Sequence, residues 1–271
     1  MKATLRPATA VLAFLLAVLV ASVLAFVVLH RSHIYPFVGD PFDIAGFSPE
    51  MVTVPDAPEL AVQVFRADDP AAAVMIYFMG NVGSLQLHRL PLARMRDAGF
   101  HVVAMPYRGG GGVPGRSTEA RLIADALAVF DWTQGWAQGP LVLRGYSLGT
   151  GLALAVAAGR DADAVILTAP FTRMCTLVAR EIVLPACLIP GVDRWDSLSW
   201  AAEVIEPVLL LHGDADQVLA QAMAESLARE LREAGAPVTM VWIAGGDLDT
   251  QDADPAYDAA VTDFMAQLGG P

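Results

Sequence analysis

The chain has 271 residues, with 17 Lys and Arg against 29 Asp and Glu and a formal net charge of −12. That excess of acid disfavours nucleic acid as a partner, because phosphate binding needs a clustered basic face. At 55% hydrophobic and 17% charged residues the chain is too apolar to be disordered, and its length suits one large domain with an appendage.

The appendage comes first. Residues 8–29 are 22 positions without a charge, and only Thr9 and Ser22 are polar. As a helix this stretch spans about 33 Å, enough to cross a bilayer. Lys2 and Arg6 precede it, while His30, Arg31 and His33 follow. The positive-inside bias therefore puts the N-terminus in the cytoplasm and the rest of the chain on the opposite side. A cleaved signal peptide is the competing reading, with Val23-Leu24-Ala25 as a small-residue site. Apolar residues run straight on through Phe26-Val27-Val28-Leu29, which favours an uncleaved anchor. Residues 31–271 carry 15 basic and 29 acidic side chains, so no cationic patch is expected to dock on anionic lipid and the helix alone is the tether. The expected division is an anchor at 1–30, a Pro/Gly-rich connector at 31–50 and a folded domain at 51–271.

In that domain, short apolar runs alternate with longer helical patterns, the signature of a parallel sheet covered by helices. The expected strands are 60–66, 73–79, 101–105, 141–144, 164–168, 208–212 and 238–243, mostly continuous apolar runs as when both faces are buried. The expected helices are 85–98, 118–133, 149–158, 220–234 and 255–268. Gly99, Gly159 and Gly235 follow three of them, where a C-terminal cap wants a residue that tolerates positive φ. Residues 171–202 are longer than a simple crossover and predict a small excursion over one edge, with scope for a modest lid. Cys175 and Cys187 lie in this stretch. They have no metal-ligand spacing and are expected as buried free thiols, although an oxidising compartment would let them pair.

Residues 141–151 read as strand, abrupt turn and small-residue helix, and hold Gly145-Tyr146-Ser147-Leu148-Gly149. In this setting G-x-S-x-G projects a serine hydroxyl from a strained turn, so Ser147 is the candidate nucleophile. The Leu148 amide, at a helix N-terminus, would point at an anionic intermediate. A second donor is expected from the Gly-rich turn at 78–84, where Asn81 is the candidate. The acid and the histidine of a triad follow the serine on loops after later strands. Asp216 is the expected acid, with Asp214 as the second choice. The loop after the last strand, 242–250, contains no histidine, and the last histidine of the chain is His212. The other four are His30, His33, His88 and His101; His88 and His101 read as a helix-face and a strand-end residue.

With these motifs in order, residues 42–268 resemble the α/β-hydrolase superfamily, and most closely its membrane-anchored bud-emergence-type, serine aminopeptidase-like group. The matching pieces are Gly80-Asn81-Val82-Gly83, His88-Arg89-Leu90-Pro91, Tyr107-Arg108-Gly109, the Ser147 elbow, Ala169-Pro170-Phe171-Thr172, and Pro207-Val208 through His212-Gly213 to Asp216. The resemblance implies an α/β-hydrolase fold behind an N-terminal transmembrane helix. It implies Ser147 as nucleophile, Asp216 as acid, Asn81 and Leu148 as the oxyanion hole, and no cofactor or metal.

Three departures stand out. Met79-Gly80 replaces a His-Gly, residues 109–114 replace a compact Tyr-Arg-Gly-Tyr-Gly-x-Ser turn, and Asp247 stands where the family places its histidine. An aspartate, with a reference pKa near 3.9, matches a serine hydroxyl poorly as proton acceptor. In subtilisin, loss of the histidine costs about 10⁶ in kcat and leaves about 10³–10⁴ over water. The expected function is a membrane-tethered serine hydrolase of ester or related acyl bonds, with a lipid-like small-molecule substrate as the natural guess. The alternative is a catalytically impaired pseudo-hydrolase that binds or scaffolds. Asp247, Asp249, Gln251 and Asp258 have the spacing of calcium-loop positions 1, 3, 5 and 12, but Asp252 replaces the turn glycine. The stretch reads instead as a solvated acidic loop leading into the helix near Pro255.

Overall fold

The computed structural model describes residues 7–39, 42–182 and 185–268. Helix α1 (Pro7–Ile34) is followed by strands β1 (Ser48–Val52), β2 (Leu60–Phe65) and β3 (Val74–Phe78), and a 3₁₀ turn at Leu85–His88 that leads into α2 (Arg89–Asp97). Then come β4 (His101–Met105), α3 (Glu119–Gln134), β5 (Leu141–Tyr146), α4 (Leu148–Ala157) and β6 (Ala164–Thr168). The excursion holds α5 (Met174–Ile182) and α6 (Ser197–Ala201), and the chain ends with β7 (Val208–Gly213), α7 (Gln221–Ala234), β8 (Val238–Ile243) and α8 (Pro255–Gln267).

The eight strands form one sheet in the order β1-β2-β4-β3-β5-β6-β7-β8. β1 and β2 are antiparallel, and every pairing from β4 through β8 is parallel. Strands β3, β4, β6 and β7 are buried at every residue, which is why they read as unbroken apolar runs. β1 is the strand that the apolar pattern does not announce. It lies at the sheet edge and is mostly exposed, and it contains Pro49, which an edge tolerates because no ladder donor is needed there. It starts at Ser48, within the stretch read as connector.

Gly99 and Gly235 close their helices at φ +84° and +104°, as expected of C-terminal caps. Gly159 is a correction: it is not in the left-handed region, because α4 ends at Ala158 in the right-handed region and the turn needs no positive φ.

The excursion brings a second correction. Cys175 and Cys187 are not free thiols but a disulfide, with Cα atoms 5.0 Å apart across α5 and the following 3₁₀ turn. Around it Ala186, Ile189 and Val192 form a small core that Val23, Phe26 and Val27 of α1 complete. The lobe is fastened to α1 at Asp193, whose carboxylate accepts from Arg31 Nη2 at 3.1 Å and from the Tyr35 hydroxyl at 2.7 Å. The Asp193 N–H donates to His30 Nε2 at 3.1 Å, so His30 donates from Nδ1 to the Val27 carbonyl at 2.8 Å. The same carboxylate accepts from the Glu119 N–H at the start of α3, at 3.1 Å. Helix α1 is long and apolar enough to cross a membrane, and its side chains from Val11 to Val20 are exposed while its last turns are docked.

The Arg108–Asp125 ion pair lies wholly inside the domain. Arg108 and Asp125, 2% and 0% exposed, meet at 2.8 Å, and Arg108 Nη2 also donates to the Pro58 carbonyl at 2.7 Å. Removing one member strands a buried charge, so Asp125→Ala is expected to cost about 3–5 kcal/mol, read as a drop in the midpoint of denaturant unfolding. A loss under about 1 kcal/mol would show the pair to be hydrated and dispensable.

Candidate active site

β5 turns into α4 within a single residue. Ser147 occupies that position at φ +49°, ψ −115°, a left-handed backbone that non-glycine residues rarely adopt. Its N–H donates to the Thr168 carbonyl on β6 at 2.9 Å, so the strained residue is held from the neighbouring strand. The flanking glycines are demanded by close approach. A Cβ at Gly145 would lie 2.4 Å from the Gly149 carbonyl oxygen, and one at Gly149 only 2.0 Å from that of Phe78. Leu148 is the first residue of α4, where an amide has no intrahelical acceptor and faces outward along the helix dipole.

The loop after β3 lies against the elbow. A Cβ at Gly80 would be 3.2 Å from the Tyr146 ring and 3.7 Å from Ser147 Cβ. The Tyr107 hydroxyl, fully buried, donates to the Met79 carbonyl at 2.6 Å and sets the height of this loop. Gly83 stands at φ +70° beneath the Phe37 ring, and the Val38 N–H donates to the Val82 carbonyl at 3.0 Å. The connector from α1 thus clamps the loop that carries Asn81, which is half-buried two residues beyond Met79.

After β7, Asp216 is 6% exposed. Its Oδ1 accepts from the Val218 and Leu219 amides, both at 2.8 Å, which fixes the rotamer. Its Oδ2 is buried and, among the described residues, has no hydrogen-bond partner. His212 Nε2 lies 4.0 Å away but donates to the Leu219 carbonyl at 2.9 Å, and burial lowers the pKa of this ring. Asp214, the second candidate, is exposed and serves the backbone instead. Its Oδ1 accepts from the Gly245 N–H at 2.6 Å and ties the β7 loop to the β8 loop.

The β8 loop is where the missing histidine is expected. Gly246 presses on Gly213, where a Cβ would be 2.1 Å from the Gly246 oxygen, and the Ala215 N–H donates to that oxygen at 3.0 Å. The backbone of Asp247 therefore adjoins the Asp216 loop. From the other side the Tyr146 hydroxyl donates to the Leu248 carbonyl, latching the loop to the elbow. The Asp247 side chain is exposed and folded onto its own turn. Its Oδ1 accepts from Thr250 Oγ1 at 2.7 Å, the Thr250 N–H at 2.9 Å and the Asp249 N–H at 3.0 Å. The Thr250 hydroxyl, with these amides, holds the carboxyl below the ordinary aspartate range, which makes it a weaker base still. The calcium-like spacing does not gather its four side chains: Gln251 is buried in a 3₁₀ turn and Asp258 pairs with Arg94 at 3.6 Å. Asp254 caps α8, accepting from the Ala256 N–H at 2.8 Å, with Pro255 in the first turn.

The remaining histidines have structural partners. His101 Nδ1 accepts from the Ala67 N–H at 2.9 Å at the start of β4. His88 lies against Tyr146, with ring centroids 5.2 Å apart, and its Nδ1 is 2.9 Å from the Tyr77 hydroxyl. Sequence reasoning singled out neither Tyr107 nor Tyr146 for their hydroxyls. Tyr107-Arg108-Gly109 was a visible motif, but which carbonyl its hydroxyl meets depends on the packing of β3 beside β4.

A strand, a one-residue elbow and a helix at the centre of this strand order, with an acid after β7, define one fold. A family model described as serine aminopeptidase, S33, matches residues 69–189. The chain has the α/β-hydrolase fold. A solved Pyrococcus furiosus esterase superposes with a TM-score of 0.70 over 86% of this chain and 99% of its own, at 15% identity, and shares the fold. Human protein ABHD12B is 35% identical over 152 residues, which are 49% of this chain and 42% of that one. The lysophosphatidylserine lipase ABHD12 of Danio rerio is 31% identical over 176 residues, 57% and 45% of the two chains. In both curated relatives the similarity spans less than half of the relative's length.

Burial lowers the His88 pKa from 6.5 to about 4. The unfolded chain therefore takes up this proton first as pH falls, so the contribution of His88 to stability is complete above pH 6.5 and lost towards pH 4. His88→Gln is expected to lose less melting temperature than the unsubstituted protein between about pH 7 and pH 4.5. Equal losses would place the His88 ring in solvent.

Proposed function

We propose that this α/β-hydrolase is a membrane-tethered serine hydrolase of ester or related acyl bonds, slowed by the absence of the usual histidine. The observation that carries the reading is Ser147 at φ +49°, held by close-packed glycines beside two loops bearing Asn81 and Asp216. Strained backbone clusters at active sites, and here the strained residue carries a hydroxyl. In this reading Ser147 Oγ attacks the acyl carbonyl and displaces the alcohol. The Asn81 and Leu148 amides stabilise the oxyanion, and water releases the acid from Ser147. Asp216 is the acid; its Oδ2, buried and without a partner among the described residues, is the oxygen that a histidine on the β8 loop would meet.

Asp247 stands in that loop but is exposed, held in its turn and low in pKa, so it accepts the serine proton poorly. The same lock favours a second reading, in which the fold binds an acyl compound without turning it over. For the substrate class, a relative named as a lysophosphatidylserine lipase and an N-terminal helix fit to cross a membrane both favour a lipid ester. The disulfide supports an oxidising side for the domain, with the N-terminus in the cytoplasm.

The test is labelling of the full chain in detergent with a fluorophosphonate probe. We expect Ser147-dependent labelling that Ser147→Ala abolishes. Asp247→His, placing an imidazole beside Asp216, is expected to raise ester turnover by about 10²-fold or more. No labelling of the folded chain, with no gain in Asp247→His, would leave the binding-module reading.

A further inference from the structure

The cation that the proposed chemistry does not use lies three residues before the elbow. Arg144, on β5, is 5% exposed. Its neighbour Gly145 faces α4, so Arg144 points to the opposite face of the sheet, towards α2 and α8. There Arg144 Nη2 donates to the Tyr257 hydroxyl at 3.0 Å, and that hydroxyl in turn meets Thr168 Oγ1 at 2.8 Å. Nε is buried and unpartnered, and among the described residues no carboxylate forms an ion pair with the guanidinium. The Tyr257 ring, 5.5 Å from the guanidinium, and the carboxylates of Asp258 and Asp252 acting through space offset part of its charge, but none of them forms an ion pair with it. A buried arginine paired so incompletely is costly, and a bound anion relieves the cost.

Arg144 lines a cavity of about 410 Å³ between α2 and α8, within the roughly 300–1,000 Å³ of small-molecule sites. The other charges of its lining are already matched. Asp258 pairs with Arg94 at 3.6 Å and Asp97 with Arg96 at 2.8 Å, so among the described residues Arg144 is the lining charge without an ion pair of its own. Apart from Thr262 the uncharged part of the wall is apolar, chiefly Met95, Phe100 and Val261.

We propose that this cavity binds a single-chain amphiphile with a carboxylate head, a fatty acid or a close analogue, its carboxylate on the Arg144 guanidinium and its chain against Met95, Phe100 and Val261. A guanidinium presents Nε and Nη donors in a fork that matches a carboxylate, and here only Nη2 has a hydrogen-bond partner within the described residues. The site lies on the helix face of the sheet, apart from the elbow, and requires no turnover at Ser147.

The experiment is photo-crosslinking of the full chain in nanodiscs with dodecanoate carrying a diazirine at its tail, followed by peptide mapping. Labelling is expected on α2, Phe100 or α8, to be competed by dodecanoate and not by dodecanol. Arg144→Met is expected to reduce it by about 10-fold or more, the worth of a charged hydrogen bond. Val261→Trp, which fills the cavity and keeps the arginine, is expected to reduce it likewise and decides the matter if Arg144→Met fails to fold. Ser147→Ala is expected to label like the unsubstituted chain, which separates this site from the proposed active site. Equal competition by dodecanol, or labelling unchanged in folded Val261→Trp, would overturn the proposal.

Discussion

The turn from β5 into α4 within one residue is the constraint on which the rest of the site depends. It forces Ser147 to φ +49° and brings the start of α4 so close to β3 and β5 that neither Gly145 nor Gly149 has space for a side chain. Both distances are below any real carbon contact, so the glycines are a condition of the geometry. The strain at Ser147 is offset by buried neighbours: α4 has all ten residues buried, and β5 is paired on both sides. Because the sheet is parallel here, the same turn delivers Ser147 and the loops after β3, β7 and β8 to one end.

The chemical question narrows to one oxygen and one side chain. Asp216 Oδ1 is fully engaged by two amides, whereas Oδ2 has been desolvated without a partner among the described residues. Such an oxygen costs free energy wherever it serves only packing. The β8 loop approaches it through Gly246 and is latched by Tyr146, yet the residue it presents is Asp247, turned onto Thr250. Asp247, held below the ordinary aspartate range, cannot take the part of an imidazole in a proton relay with Asp216. In the proposed reading the surroundings of a base are present while the base is not, and the two proposed functions differ only in what remains when it is absent.

How far the sequence speaks differs from element to element. Strands buried on both faces were legible as apolar runs, and the elbow was legible because close packing leaves glycine as the sole choice at Gly145 and Gly149. β1 was not, since an exposed edge strand with Pro49 has no apolar pattern to read. The disulfide was not, because a pair of cysteines twelve apart becomes a bridge only when the turn after α5 returns Cys187 to Cys175. Gly159 was misread for a similar reason: a glycine after a helix is compatible with either hand. For the candidate site, motif and position single out Ser147 and Asp216 as the residues to propose, but the turn that ties up Asp247 depends on Thr250, three residues on. Arg144 carried no signal, because one arginine in an apolar strand does not say which face it takes or whether an acid awaits it.

Helix α1 and the candidate site are joined by packed contacts. Asp193 binds Arg31 and Tyr35 at the end of α1 and the first amide of α3, so the disulfide lobe cannot swing independently of the helix. Two residues past Tyr35, Phe37 lies on Gly83 and contacts the Tyr107 ring, whose hydroxyl holds Met79. The chain leaving α1 therefore runs from the proposed membrane exit to the loop that carries Asn81 through packed contacts, with no flexible spacer between them. A long Gly/Ser linker would decouple the domain from the bilayer plane, but here the orientation of α1 fixes the orientation of the sheet. The lobe meets α1 at Val23, Phe26 and Val27, N-terminal to the polar residues His30 and Arg31, and so sits beside the last apolar turns of the proposed span. A substrate held in a bilayer would then meet a site whose distance from the membrane is set by packing rather than by chain length.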